Sequence, residues 1–293
     1  METFSFALNG TVVYLQGELL MKVLSLFDGI SGGREVLRIC NIKPEKYVAF
    51  EIDEKAIKVA KRNFPDIEEK GDVLNANWED FKDFDVLIGG SPCNDFSSLN
   101  REKKGLEGLK SRLFYQYLDA LKTIKPKYFF LENVQSMGKE NRDKLTALLT
   151  SVRDDVKLYK IDSADYGSFC HRKRYYWTNI PLTDIPKSTR LPSNELLLDG
   201  ARDISEWFYR SKSIGWAYRK PVELPLTKPT ATITGADDFD FKYNGKIYRP
   251  GNKYITEAFG YRDSYFLPEE RIHQFVGLGW HLPTIKRFFE NLI

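Results

Sequence analysis

Residues 22–64 read KVLSLFDGISGGREVLRICNIKPEKYVAFEIDEKAIKVAKRNF, and this stretch decides the fold. KVLSLF is a short apolar run that breaks at DGISGG, after which helical spacing sets in through Val36, Leu37 and Cys40. KYVAFEID then reads as a second strand, and EKAIKVAKRNF as a helix with Ala56, Ile57 and Ala60 on one face. The same alternation continues downstream. DVLIGG is a buried-strand run, SRLFYQYLDALKTI a helix, YFFLENV a strand, and Leu145, Leu148 and Leu149 mark another helix. Strands alternating with helices at this pace require right-handed crossovers. They predict a doubly wound, mostly parallel α/β sheet.

Such sheets bind ligands at the carboxyl ends of their strands. The first of those ends carries DGISGG, where glycines let the backbone turn sharply and approach a ligand at a helix N-terminus. The spacing is not that of a dinucleotide fingerprint, and Asp28 inside the loop would repel a pyrophosphate. A ligand with a positive centre or an amine, such as S-adenosylmethionine, suits it better. Glu51 ends the next strand, placed to accept from ribose hydroxyls; Asp72 follows a third segment, placed to accept from an adenine amino group. Alone, the glycine loop reads equally as a tight strand–helix turn.

Cys93, in GGSPCNDFS, follows the strand DVLIGG and so falls at the same edge. Pro92 stiffens its loop, and Gly89 and Gly90 admit a ligand closely. A cysteine is more often a small buried hydrophobe than a nucleophile, but a polar, Gly/Pro-rich loop weakens that reading.

FDGISGG, FEID, GDV, GGSPCNDFS, LENV and HRKRYYWTN stand in the order and approximate spacing of the cytosine-5 DNA methyltransferase motifs. The chain resembles that family from about Met21 to Pro181 and again in GLGWHLPTIKRFF, and within it the de novo branch of animals. The resemblance implies the Rossmann-like fold of S-adenosylmethionine-dependent methyltransferases with a small target-recognition domain. It also implies methyl transfer to carbon-5 of a cytosine flipped out of duplex DNA. Cys93 would be the nucleophile, adding to carbon-6; Glu132 would be the acid at ring nitrogen 3; Arg172 and Arg174, alternating on one face of a strand, would orient the base. Phe27, Asp28, Gly29, Ile30 and Gly32 would cradle the methionine portion of the cofactor, with Gly90 and Pro92 nearby. Glu51, Ile52 and Asp53 would face the ribose, Asp72 and Val73 the adenine, and Leu113 and Trp280 would pack against the cofactor. Leu278-Gly279 stand where the family has Gly-Asn-Ser or Arg-Ser. A transfer-RNA methyltransferase and a non-catalytic accessory of the same fold are the alternatives; the Cys-Phe-Thr string of the former is not seen.

Four segments follow: a hairpin extension at 1–20 turning at Asn9-Gly10, a catalytic cofactor-binding domain at 21–181, a target-recognition region at 182–252, and a C-terminal segment at 253–293 that packs back on the catalytic domain. In the third, Arg202, Arg210, Lys212, Arg219 and Lys220 among aromatics suit phosphate contacts, and Asn244-Gly245 marks a second hairpin. KPTATITG, Lys228 to Gly235, is similar to the family motif that supports this domain. A net charge of +3 neither demands nor excludes nucleic acid. Three cysteines without disulfide or zinc spacing and three histidines predict no metal and a reducing compartment. No leader pattern or long uncharged apolar run is seen, so the expected location is cytoplasmic and nucleoid-associated, in a microbial or virus-infected cell. Restriction–modification or an orphan role fits such an enzyme, and no feature points to a homo-oligomer.

Overall fold

The computed structural model describes residues 4–8, 11–15, 21–91, 113–213, 221–230, 232–233 and 240–292. Strands β1 (Phe4–Leu8) and β2 (Thr11–Leu15) pair antiparallel with Leu8 opposite Thr11. That register is the one an Asn9-Gly10 turn requires, although those two residues lie outside the described set.

The main sheet begins with β3 (Lys22–Leu26), α1 (Gly32–Ile39), β4 (Lys46–Phe50), α2 (Glu54–Asn63) and the two-residue β5 (Glu68–Glu69). It continues with β6 (Val86–Gly90), α3 (Leu113–Ile124), β7 (Tyr128–Val134), α4 (Gly138–Thr150), β8 (Lys157–Asp162) and β9 (Lys173–Thr178). Strand order is β5-β4-β3-β6-β7-β9-β8. Every pairing from β5 to β7 is parallel, and β9 runs antiparallel to both its neighbours. Order reverses between β3 and β6, which makes their carboxyl ends the switch-point crevice. Because β9 is reversed, its first residues also arrive at that edge.

The strands are apolar almost throughout because helices cover both faces. Val23, Tyr47, Ala49, Ile88 and Phe130 face one core, and Leu24, Leu26, Val48, Phe50, Leu87, Phe129 and Leu131 the other. On α2 the buried residues are Ala56, Val59 and Ala60; Ile57, expected on that face, is only half-buried because the stripe advances by three and four residues.

The rest of the chain supplies α5 (Asn194–Leu198), β10 (Arg202–Asp203), α6 (Ser205–Ser213), β11 (Val222–Glu223), β12 (Phe241–Tyr243) and β13 (Lys246–Arg249). Four of these form a small sheet, β10-β13-β12-β11, around Ile204, Phe208 and Ile247. Asn244 and Gly245 both have left-handed φ, 49° and 76°, as a two-residue type I′ hairpin demands. Helices α7 (Asn252–Phe259), α8 (Ile272–Leu278) and α9 (Leu282–Phe289) then return to the main sheet. Phe130 of β7 meets Trp280, Phe288 and Phe289 with ring centroids 5.5, 5.2 and 5.3 Å away. Each such pair contributes about 0.5–1.5 kcal/mol beyond its buried area, enough to fix Trp280 over the sheet edge. Among the described residues no helix is long and apolar enough to cross a membrane.

Candidate active site at the switch point

The β3–α1 loop is held in an uncommon backbone. Phe27, Gly29 and Ser31 alternate at φ of 60°, 59° and 60°, two of them non-glycine residues in the left-handed region. That costs about 1–3 kcal/mol per non-glycine residue, and Asp28 supplies the restraint. Its carboxylate accepts from the hydroxyls of Ser25 at 2.5 Å, Tyr47 at 2.7 Å and Ser31. Burial pushes the Asp28 carboxyl above its ordinary range, against these three donors and with the charge of Glu51 adding to the rise. Asp28, read from sequence as the partner of a positive centre, thus spends much of its acceptor capacity locking the loop.

Glu51 is engaged in the same way. It accepts from the backbone N–H groups of Gly29, Ile52 and Asp53, each at 2.8 Å, tying the end of β4 to the glycine loop. Asp53 caps α2 by accepting from Lys55 N–H at 2.9 Å, and Asp72 accepts from Leu74 N–H at 3.0 Å just ahead of the buried Val73. Ile52 and Leu74 are 70% and 62% exposed, so two large apolar side chains stand uncovered beside these acids.

Across the switch point, Gly90 pairs with Glu132. A Cβ on Gly90 would stand 3.0 Å from Trp280 Nε1 and 3.2 Å from Glu132 Oε2, so only glycine lets these groups converge. Arg174 Nε lies 2.6 Å from Glu132 Oε1 in an ion pair whose N–H is not aligned as a hydrogen bond. Asn133, buried beside Glu132, donates to the Ser91 hydroxyl at 3.0 Å and more weakly to its carbonyl at 3.4 Å. Ser91 is the last described residue before Pro92 and Cys93, which lie outside the described set. Leu113, half-buried at the start of α3, packs against the core below this edge.

Arg172 behaves differently from Arg174. It sits one residue ahead of β9 and is buried, donating to the carbonyls of Gly277 at 3.2 Å and of Gly279, with its guanidinium 4.8 Å from the Phe259 ring. Burial, then the charge of Arg174, pushes its pKa down to about 10, with Glu132 opposing. The two arginines have different partners while lying within reach of each other's charge: Arg174 meets Glu132, and Arg172 meets the carbonyls of Gly277 and Gly279, in the segment that carries Trp280.

Two further groups were not singled out from sequence. Tyr265 donates its hydroxyl to the carbonyl of Ile30, anchoring the glycine loop. Tyr261 is buried, and its hydroxyl has no hydrogen-bond partner among the described residues. It lies 3.4 Å from the Cβ positions of both Gly32 and Gly279, and burial pushes its pKa up, which keeps it a neutral donor. A polar hydroxyl therefore stands where Leu278-Gly279 appeared to lack one; Leu278 itself is 67% exposed. Such contacts between distant segments leave no periodic mark in the sequence.

Among the described residues no group of histidine, cysteine and acidic side chains could hold a metal. On the small sheet, Lys242, Lys246 and Arg249 pair with Glu223, Asp203 and Asp240 at 3.2, 2.9 and 3.0 Å. Of the basic residues expected to meet phosphate, Arg202 is exposed on β10; Arg219, Lys220 and the side chains of Arg210 and Lys212 lie outside the described set.

Residues 21–206 match the family described as C-5 cytosine-specific DNA methylase. The orphan methyltransferase M.Rho11sI of Bacillus phage rho11s is 35% identical over 208 residues, covering 67% of this chain and 41% of that protein. The type II methyltransferase M.NgoBV of Neisseria gonorrhoeae is 32% identical over 173 residues, 54% of this chain and 41% of that one. The match thus spans less than half the length of these curated relatives. The solved structure of the Entamoeba histolytica methyltransferase EhMeth superposes with a TM-score of 0.72 at 16% identity, over 93% of this chain and 98% of that one, a likeness of fold. With the family match running through the glycine loop, the acids at the strand ends, Glu132 and both arginines, the chain belongs to the C-5 cytosine-specific DNA methylases.

Proposed function

We propose that this chain transfers a methyl group from S-adenosylmethionine to carbon-5 of a cytosine flipped out of duplex DNA, with Cys93 as nucleophile. The observation that carries the reading is the convergence of Gly90, Glu132 and Trp280, three residues ahead of Cys93 at the switch point, with Arg174 on Glu132.

The residues present fit the cofactor. Asp28, Gly29, Ile30 and Tyr261 surround the place for its methionine end, Glu51 that for the ribose, and Asp72 and Val73 that for the adenine, with Ile52 and Leu74 offering apolar cover. Gly90 leaves room beside Trp280 that a side chain would fill. When bound, S-adenosylmethionine supplies an electrophilic methyl group.

Cytosine carbon-5 is too weak a nucleophile unaided. The Cys93 thiolate adds to carbon-6, forming a carbon–sulfur bond and moving the ring's electron density to carbon-5 and nitrogen 3. Glu132 delivers a proton to nitrogen 3 and so spares the ring an unfavourable charge. Arg174, beside Glu132, holds the base carbonyl oxygen, and Arg172 keeps the Trp280 segment in register. Once carbon-5 bears the methyl group, loss of the carbon-5 proton to solvent, breaking of the carbon–sulfur bond with release of the Cys93 thiolate, and return of the nitrogen-3 proton to Glu132 restore the neutral ring. Asn133 holds Ser91, two residues ahead of Cys93. The reading places the chain in the cytoplasm of a microbial or virus-infected cell, as an orphan or a restriction–modification enzyme, in keeping with the phage and bacterial sources of its relatives.

Labelled-methyl transfer to duplex DNA and to transfer RNA, followed by bisulfite sequencing of the DNA, tests the proposal. Label at cytosine in duplex DNA is the expected result. Label in RNA alone would overturn the substrate, and no transfer to either would leave a non-catalytic protein of the same fold.

A further inference from the structure

Asp28, Glu51 and Glu69 lie within reach of one another's charge beside the glycine loop, and Glu69 alone of the three is unused. Asp28 is occupied by three hydroxyls and Glu51 by three backbone N–H groups. Glu69, on edge strand β5, pairs in parallel with Ala49 and so shares the sheet face of Tyr47 and Ala49. Both of its oxygens are closed to solvent, and neither has a hydrogen-bond partner among the described residues. We infer that Glu69 is a positioning residue that makes this site favour the cationic cofactor over its neutral demethylated product, by exchanging a proton for the ligand's positive charge.

The groups that bear on Glu69 are few. Asp28 comes from the glycine loop and Glu51 from the end of β4; Lys61 comes from α2, its ammonium donating to the Ile67 carbonyl at 2.5 Å. Tyr47 of β4 is engaged with Asp28, and Arg34 of α1 with Asp66 at 3.0 Å. On its own strand, Glu68 is paired with Lys46 at 2.9 Å and Lys70 at 2.5 Å. Glu69 therefore faces two acids and one lysine. Burial first, then the charge of Asp28, pushes its carboxyl up to about 7, with Lys61 opposing and Glu51 adding. The group carries a proton much of the time at neutral pH. S-adenosylmethionine holds a sulfonium and an ammonium against one carboxylate, a net charge of about +1; after methyl transfer the sulfonium charge is gone. A cation bound nearby lowers the proton affinity of Glu69, whereas the neutral product gives it far less reason to ionise.

The inference rests on the cofactor reading above, and the test separates the two. Titration calorimetry of the whole chain would use S-adenosylmethionine and S-adenosylhomocysteine in buffers of different ionisation enthalpy, from about pH 6 to about pH 8. Ionisation of a carboxyl near 7 changes roughly tenfold over that range, so affinity for the cationic ligand rises by up to about tenfold, with proton release, while product affinity stays nearly level. Glu69→Gln removes both the rise and its share of the released protons, which also corrects for the ligand's own amine. An unchanged pH slope in Glu69→Gln, or tight binding of both ligands by wild type with no proton released, would overturn the role of Glu69 alone. Failure of wild type to bind either ligand would overturn the cofactor reading and this role with it. The wild-type proton count stands even if the variant does not fold.

Discussion

Gly90→Ala adds one methyl group at the last residue of β6, three ahead of Cys93. Its Cβ would stand 3.0 Å from Trp280 Nε1 and 3.2 Å from Glu132 Oε2, where comfortable contacts are about 3.5–4.0 Å. Relief requires a retreat of roughly 0.5 Å by the indole or the carboxylate. Neither moves freely: Trp280 is packed against Phe130 and Phe289, at 5.5 and 6.4 Å between ring centroids, and Glu132 is ion-paired with Arg174 at 2.6 Å. Overpacking of this kind costs about 1–3 kcal/mol, a fall in Tm of roughly 2–8 °C. Because a misplacement of about 1 Å can cost about a hundredfold in rate, half that displacement predicts a drop in kcat of about tenfold. The assay is labelled-methyl transfer to duplex DNA at saturating cofactor, run beside thermal melting. Gly245→Ala is the control for melting alone: its φ of +76° makes alanine costly by about 1 kcal/mol although its Cβ would meet open space. Adding Trp280→Phe removes the crowded ring nitrogen and should restore part of the activity. Wild-type kcat in Gly90→Ala, or strict additivity in the double variant, would refute the close convergence of these groups.

Arg172→Gln strips a buried and a partly buried backbone carbonyl of their donor, a loss of about 2–4 kcal/mol that thermal melting should register, together with weaker cofactor binding as Trp280 loosens. Asn133→Ala removes the donor to Ser91; it should cost about 1–3 kcal/mol and lower kcat more than KM, since Ser91 stands two residues ahead of Cys93. His281, the buried N-cap of α9, is pushed down to about 3 by burial and then by the charge of Arg172. Its folded pKa lies below the unfolded value of about 6.5, so its contribution is present above that pH and is lost as pH falls toward 3. Melting of the wild type should therefore decline across that window by up to about 4 kcal/mol, and His281→Asn, which keeps a cap acceptor without a charge, should flatten the decline.

Where candidate residues follow strand ends, their position at the sheet edge is legible in the sequence. Asp28, Glu51, Asp72, Gly90 and Glu132 all fall at the carboxyl edge because the strand–helix alternation dictates it. The Asn244-Gly245 turn is legible for a similar reason: only certain residues accept two consecutive left-handed positions. What could not be read depends on three-dimensional register. The Tyr47 hydroxyl reaches Asp28 from a neighbouring strand, Tyr261 reaches Gly32 from more than two hundred positions away, and Arg172 turns to two carbonyls of the C-terminal segment. None of these carries a periodic signal. Alternation along a strand puts Arg172 and Arg174 on one face but does not say which acceptors each takes: Arg174 meets Glu132, and Arg172, one residue ahead of the strand, meets two carbonyls.

The most direct test of the central claim is covalent trapping. The chain would be incubated with S-adenosylmethionine and duplex DNA containing 5-fluorocytosine, whose fluorine cannot be lost as the carbon-5 proton is, and the product mapped by peptide mass spectrometry. The account predicts a stable protein–DNA adduct on the peptide that contains Cys93, absent in Cys93→Ser and retained in Cys40→Ser. No adduct with wild type, or one that persists in Cys93→Ser, would contradict it.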